Sequence, residues 1–301
     1  MDGSSDSLCR LANIRGLGVF RLNTDLLLHY KIRVTAGDFT LSDPIGRRVC
    51  LAEISACLWR KPWIGGAPTD AFPLQERTWV KGQLERLIRE IANLCRLNTR
   101  LRLVEPGAER RLDKLTQMTL ARDYFTVPEW EFTLGCRGRP GRHVVKAMQP
   151  DQIAAERTRF LYTTLVEAER LDISYPWLLQ DPALGSRDAT VVYLVGECHG
   201  FQLTRDRSAG PTDWRENINT GAVDTWSKLP LSEDFVRRCC AFMQTARLHY
   251  GRLDLIVDDI GNHEFLEVNS NGQFGWLDDD TLWLHERVLD CVLSPTSTVN
   301  W

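Results

Sequence analysis

The chain lacks any uncharged apolar run near the ~18 residues needed to span a bilayer, so nothing in it predicts a membrane helix. It lacks an excess of either charge as well. Its 37 Lys and Arg face 40 Asp and Glu, giving a net charge of −3 and a pI of about 6.1. A protein held mainly by nucleic-acid phosphates or anionic lipid needs a strongly basic surface, so both partner classes are set aside. The nine cysteines lack CxxC spacing and histidine partners at zinc-finger intervals. They read as free thiols acting as small apolar residues in a reducing compartment. There is no internal repeat and no low-complexity tract. The opening residues, Met-Asp-Gly-Ser-Ser-Asp, are acidic and polar, which argues against a secretory signal and for a cytoplasmic protein.

What is present is the balance of a globular protein, with 43% apolar and 26% charged residues. The length of 301 residues suits one large domain or two or three small ones. Residues 17–22 (LGVFRL) read as a strand, and 49–59 contain another. Val80, Leu84, Leu87, Ile88, Ile91, Leu94 and Cys95 recur at three- and four-residue spacing, predicting an amphipathic helix from Trp79 to about Leu97. Leu101–Val104 reads as a short strand, so residues 1–107 form a first, small α/β domain. The second part, 108–182, opens with a helix from Leu112 to about Tyr124. Strands near 130–134 and 143–148, a helix near 152–169 and a strand Trp177–Gln180 follow. The third part, 183–301, holds strands near 190–196 and 199–204, a helix from Glu233 to Tyr250, and a hairpin from Leu253 to Asn269. The expected fold class is mixed α/β.

The hairpin carries the most chemistry. If its turn centres on Ile260-Gly261, Asp254 lies opposite Glu267, and Asn269 falls on the same face two residues along. Leu253, Leu255, Val257, Leu266 and Val268 then fill the other face. Two carboxylates opposed across a ladder repel and call for a cation. An all-oxygen set of two carboxylates and an amide selects a hard ion such as Mg²⁺ or Mn²⁺. Upstream, Lys146 sits between β-type residues in HVVKAM, where an ammonium is out of place unless it meets an anion. Lys114 opens a helix, and Asp213-Trp214-Arg215 offers an arginine fork suited to phosphate. Each alone would read as an ordinary snorkelling, solvated or surface-paired residue.

Together and in this order, the segments resemble ATP-grasp ligases. More narrowly, they resemble the peptide-macrocyclising ATP-grasp enzymes that make graspetides such as microviridins. The resemblance implies an ATP-grasp fold with a preceding α/β domain, a central subdomain and a C-terminal metal-binding subdomain. It implies that Asp254, Glu267 and Asn269 bind the Mg²⁺ that bridges ATP phosphates. Lys114, followed by Gln117, Ala121 and Pro128, would reach ATP phosphate, and Lys146 the α-phosphate and adenine side. Gln180-Asp181 would hold adenine, with Asp181 replacing the usual Glu. Arg215, in the Asp213-to-Arg215 element, would face the phosphates and the acyl-phosphate. Phe160–Thr163 resembles the Tyr-Thr element after the phosphate-covering segment, and Arg60-Lys61 the arginine pair of the preceding domain.

The chain also departs from that family. Only a helix, Leu8–Arg15, precedes the VFR segment, Ser270 stands where proline is common, and the strand at 190–195 lacks an arginine, for which Arg187 and Arg205 are the two candidates. Asp278-Asp279-Asp280 reads as a solvated loop, and His263 and His285 as surface or packing residues.

The implied activity is ligation. A side-chain carboxylate of a ribosomal precursor peptide, bearing a leader and an acidic core, would be activated by ATP as an acyl-phosphate. A Thr or Ser hydroxyl or a Lys amine would then close a macrocyclic ester or amide. The alternatives are an ATP-grasp carboxylate–amine ligase acting on amino acids or a small metabolite, and a nucleotide-binding module without catalysis. A homodimer is expected by analogy alone.

Overall fold

The structure, a computed structural model, describes residues 3–60, 69–98, 102–104, 112–146, 148, 152–153, 159–160, 164–183, 185–204, 225–279 and 281–293. It forms two compact units, residues 1–107 with 271–301, and residues 108–270. The fold class is mixed α/β.

In the first unit, helix α1 (Gly3–Ile14) precedes a three-stranded antiparallel sheet of Lys31–Thr35, Asp38–Ser42 and Arg48–Cys50. Helix α2 (Leu74–Leu97) lies in the connection between two parallel strands, Ala56–Leu58 and Arg102–Val104, the strand–helix–strand order expected from the sequence. It buries Val80, Ile88, Ile91, Ala92 and Cys95 on one face, as the periodicity predicts. The LGVFRL segment is not a strand. Residues 17–23 pair with nothing in a ladder, and a 3₁₀ turn, Thr24–His29, follows.

The chain returns to this unit from Asn271, and a helix at Trp283–Leu293 packs on α1 and on both parallel strands. Its first turn is held by Asp278, which accepts the backbone N–H groups of Leu284 and His285 and lies 2.5 Å from His285 Nδ1. Both side chains are buried, at 1% and 2% exposure, so Asp278 is no solvated loop residue and His285 is not on the surface. An acid that satisfies two helix N-terminal donors and an imidazole together has no reason to face water.

In the second unit, helix α3 (Lys114–Ala121) leads into a four-stranded antiparallel sheet. Its spatial order is Thr164–Glu167, Arg142–Lys146, Trp177–Gln180, Trp130–Thr133. Among the described residues of 152–169 none is in the expected α-helix. The described residues of that stretch are a short antiparallel pair, Gln152–Ile153 with Arg159–Phe160, then the strand Thr164–Glu167 and a 3₁₀ turn, Ala168–Arg170. A five-stranded antiparallel sheet follows, in the order Ser227–Leu229, Glu197–Thr204, Arg187–Leu194, Tyr250–Val257, His263–Asn269. Helix Glu233–Thr245 is capped by the Ser232 side chain and ends five residues earlier than the sequence pattern suggests, because Tyr250 already begins a strand. Its Phe235, Cys239, Phe242 and Met243 join Phe125, Leu253, Leu255, Val257 and Phe265 in the core. Phe125 and Phe265 stack at 5.5 Å, with Phe242 edge-on to both. All nine cysteines are free.

The hairpin register departs from a plain two-residue turn. Val257 pairs with His263 and Leu255 with Phe265, yet Asp254 pairs with Glu267. The loop is therefore Asp258–Asn262, with Gly261 at φ +89°, and the second strand carries a bulge at Leu266. The bulge puts Phe265, not Leu266, into the core: Phe265 is fully buried and Leu266 half-buried. His263–Asn269 is the edge of its sheet, and α3 and the segment after it cover that edge. Val268 N–H donates to Gln117 Oε1 at 2.5 Å, and Phe265 N–H donates to the Thr126 carbonyl.

Gln117→Leu is expected to leave the Val268 N–H buried and unpaired and to cost about 1–3 kcal/mol, measured by urea unfolding. His263 stacks on Phe235 at 4.0 Å, and burial, with Arg238 and Arg187 nearby, pushes its pKa below the ordinary 6.5. The unfolded chain then binds more protons than the folded one, so this contribution is lost as pH falls through about 6.5. Thermal midpoints should fall between about pH 7 and about pH 5, and His263→Phe should flatten that slope. An unchanged slope in the variant would remove His263 as its cause.

Candidate metal and nucleotide site

The edge hairpin brings Asp254 and Glu267 directly opposite one another, and Arg252 opposite Asn269. Positions 252 and 254 share one face of the strand, which turns its alternate residues Leu253, Leu255 and Val257 into the core. The bulge lies between the Asp254–Glu267 and Leu255–Phe265 pairs, so it re-aims the outer half of the hairpin and leaves the acidic half in register.

The two carboxylates do not stand uncompensated. Arg252 binds Asp254 with both arms of its guanidinium, Nε to Oδ1 at 3.0 Å and Nη2 to Oδ2 at 2.9 Å. Thr190, paired with Asp254 in the neighbouring strand, donates its hydroxyl to Oδ1 at 2.9 Å. On the other strand, Lys114 Nζ lies 3.4 Å from Glu267 Oε2. The four charged side chains are 13–28% exposed, a polar layer at the rim of the sheet rather than in its core. Asp254 and Glu267 hold the Arg252 guanidinium more firmly protonated than an isolated arginine, despite the opposing effect of burial. The donor set offered to a cation is thus carboxylate, carboxylate and amide oxygen, which fits a hard divalent ion. Among the described residues no third His, Cys, Asp or Glu joins it.

Helix α3 supplies Lys114 from its first turn and locks onto the same strand through Gln117. Lys146 ends the strand Arg142–Lys146, half-buried and paired with Leu178 of Trp177–Gln180. Gln180, at the other end of that strand, is 1% exposed, and its Nε2 donates to Met118 Sδ at 3.5 Å. Its side chain is therefore committed to packing against α3. Asp181 is held rather than free: Arg139 Nη2 and His143 Nδ1 each lie 3.1 Å from its Oδ1, and its own N–H donates to the Glu129 carbonyl.

Arg60 donates to the Gly272 carbonyl at 3.2 Å and lies over the Phe274 ring, tying its strand end to the segment that follows the hairpin. Arg187 is spent on structure, donating to the Asp258 carbonyl at 2.7 Å and to Gln202. Asp213 and Arg215, like Lys61, Tyr162, Thr163 and Arg205, lie outside the described residues. Arg252 and Thr190 were not singled out in the sequence. The alternation that placed Asn269 beside Glu267 equally places Arg252 beside Asp254, and would have found it.

Neither a protein-family model nor a curated protein matches this sequence. Solved structures do. A Chryseobacterium gregarium RiPP-associated ATP-grasp ligase, in complex with ADP and a leader and core peptide, superposes at a TM-score of 0.80, with 20% identity over 95% of this chain and 92% of that one. The chain has the ATP-grasp fold. The macrocyclase MdnC of Microcystis aeruginosa MRC, bound with precursor peptide MdnA, has a TM-score of 0.79 at 18% identity, covering 97% of this chain and 96% of its own. The ATP-grasp ligase PsnB, complexed with minimal precursor, Mg and ADP, has a TM-score of 0.68 at 16% identity over 97% and 94%. The ATP-grasp fold thus accounts for nearly the whole chain.

Asp254→Ala would strand a largely buried guanidinium. It is expected to cost about 3–5 kcal/mol in denaturant unfolding, the range for breaking a buried ion pair from one side. Glu267→Ala, whose lysine partner sits at a longer 3.4 Å, should cost clearly less. Equal losses would mean that the Arg252 bonds contribute nothing special.

Proposed function

We propose that this chain is an ATP-dependent ligase that closes macrocyclic esters or amides in a ribosomally made precursor peptide. The observation that carries the reading is the in-register Asp254–Glu267 pair beside Lys114, on a chain whose ATP-grasp fold matches peptide-bound ligases nearly end to end. The first of those neighbours is complexed with ADP and a leader and core peptide and the second with its precursor peptide, which supports the same substrate class here.

On this reading residues 108–182 make up the central subdomain, and the sheet containing Arg187–Leu194 and the hairpin belongs to the C-terminal one. Asp254, Glu267 and Asn269 would hold Mg²⁺ or Mn²⁺. Bound there, the ion supplies charge neutralisation to phosphate oxygens. Lys114 would exchange its bond to Glu267 for one to phosphate, a short movement for a side chain already in place. Lys146 would hold the phosphate nearer the adenine, and the Gln180-Asp181 strand end would line the adenine pocket. Gln180 acts there by shaping the wall against α3, since its amide is already bonded to Met118.

A peptide carboxylate oxygen attacks the γ-phosphorus, ADP leaves, and the acyl-phosphate forms. A hydroxyl or amine then displaces phosphate and loses its proton, so each ring closure removes one water from the peptide. Arg215, with Asp213 beside it, would steady the transferring phosphoryl group through bidentate bonds. The protein's contribution is positioning and charge, as in other phosphoryl transfers. A cytoplasmic location suits a reaction that consumes ATP.

The test is intact-mass spectrometry of a candidate acidic, Thr- or Lys-bearing precursor peptide incubated with enzyme, ATP and Mg²⁺, with ADP measured in parallel. Loss of about 18 Da per ring with matching ADP is expected, and Lys146→Ala and Glu267→Gln should abolish both products while remaining folded. ADP release with no mass change in any such peptide would move the acceptor to another substrate class. Turnover at the wild-type rate in both variants would overturn the site.

A further inference from the structure

Arg252 does more than balance a charge. Asp254 Oδ1 accepts from Arg252 Nε at 3.0 Å and from Thr190 Oγ1 at 2.9 Å, and Oδ2 accepts from Arg252 Nη2 at 2.9 Å. A carboxylate offers about four lone-pair positions, so the one that remains lies on Oδ2. The guanidinium is planar and grips the edge where both oxygens would chelate a cation together. It is held there by burial, with the side chain only 13% exposed, and by the short two-residue reach along one strand face. Cations differ in how they use a carboxylate. Mg²⁺ and Mn²⁺ fit octahedral shells with one oxygen from each, whereas Ca²⁺ takes roughly six to eight ligands and often both oxygens.

We propose that Arg252 is a specificity-determining residue of this metal site. It confines Asp254 to single-oxygen ligation and so favours small divalent cations over calcium. Its charge also opposes entry of any divalent ion, which sets a threshold for loading. The inference rests on the metal-site reading above, and Asp254→Asn separates the two.

The measurement is Mn²⁺ binding to the full chain by electron paramagnetic resonance, followed by displacement with Ca²⁺, on wild type, Arg252→Ala, Arg252→Lys and Asp254→Asn. Because the guanidinium charge opposes the ion, Arg252→Ala should bind Mn²⁺ about tenfold tighter. Ca²⁺ should gain by a larger factor, narrowing the preference for manganese. Arg252→Lys keeps the charge but cannot fork, so it should narrow the preference with little change in Mn²⁺ affinity. It also keeps the test open if Arg252→Ala fails to fold by circular dichroism. A purely structural arginine predicts weaker binding of both ions on removal. A preference that is unchanged or widened in the folded variants, while Asp254→Asn loses Mn²⁺, overturns the inference. Wild-type Mn²⁺ affinity in Asp254→Asn overturns the metal-site reading itself.

Discussion

Two carboxylates facing each other across an antiparallel pair are the constraint around which the second unit is organised. Asp254 and Glu267 would repel at cross-strand distance, and the ladder tolerates them because a cation reaches each from a different direction. Arg252 comes from the same strand, two residues away, and Lys114 from the first turn of α3. Glu267 is thus tied to α3 at the rim of the sheet, while Asp254 is compensated from within its own strand. A site poised in this way is charge-compensated before any ligand arrives. A ligand that brings its own charges exchanges partners with it rather than entering an uncompensated field.

The rest of the scaffold keeps that rim still. The hairpin is the edge of its sheet, a position that leaves backbone donors open, and α3 and the residues after it close it through Gln117 and the Thr126 carbonyl. The same helix carries Lys114, so the element that protects the edge also delivers the cation. Beneath it, Phe265 anchors the outer half of the hairpin in the aromatic cluster with Phe125 and Phe242. The bulge at Leu266 reconciles the two demands. It lets Phe265 point inward while leaving Glu267 opposite Asp254.

Several readings of the sequence depended on local rules that tertiary contacts overrode. The 152–169 stretch has helical spacing, yet its described residues form strands, because the Thr164–Glu167 segment gains ladder bonds with Arg142–Lys146 that a helix would forgo. Leu266 looked like a core residue under strict alternation, and a single inserted residue reversed it with Phe265. Asp278 looked like one of three solvated acids. It is instead a buried cap, because the helix at Trp283–Leu293 turns its N–H groups and His285 onto it. None of these outcomes is encoded within a short window. Each depends on which distant strand or helix arrives to satisfy a backbone donor.

By itself the sequence determined much of the local order. The spacing of apolar residues set helix α2, and the succession of segments carried the resemblance to an ATP-grasp ligase, whereas the pairing of Asp254 with Glu267, expected from a two-residue turn, is restored by the bulge at Leu266. The first two survive because they follow from periodicity and residue type, which are local properties. Only the tertiary structure decided what each charged group spends its bonds on. Asp181 is taken by Arg139, Gln180 by Met118, Gln117 by the Val268 N–H, and Asp254 by Arg252. The physical reason is that a polar group at a rim or in a core must find a partner. Which partner it finds depends on residues far away in sequence that folding brings within reach.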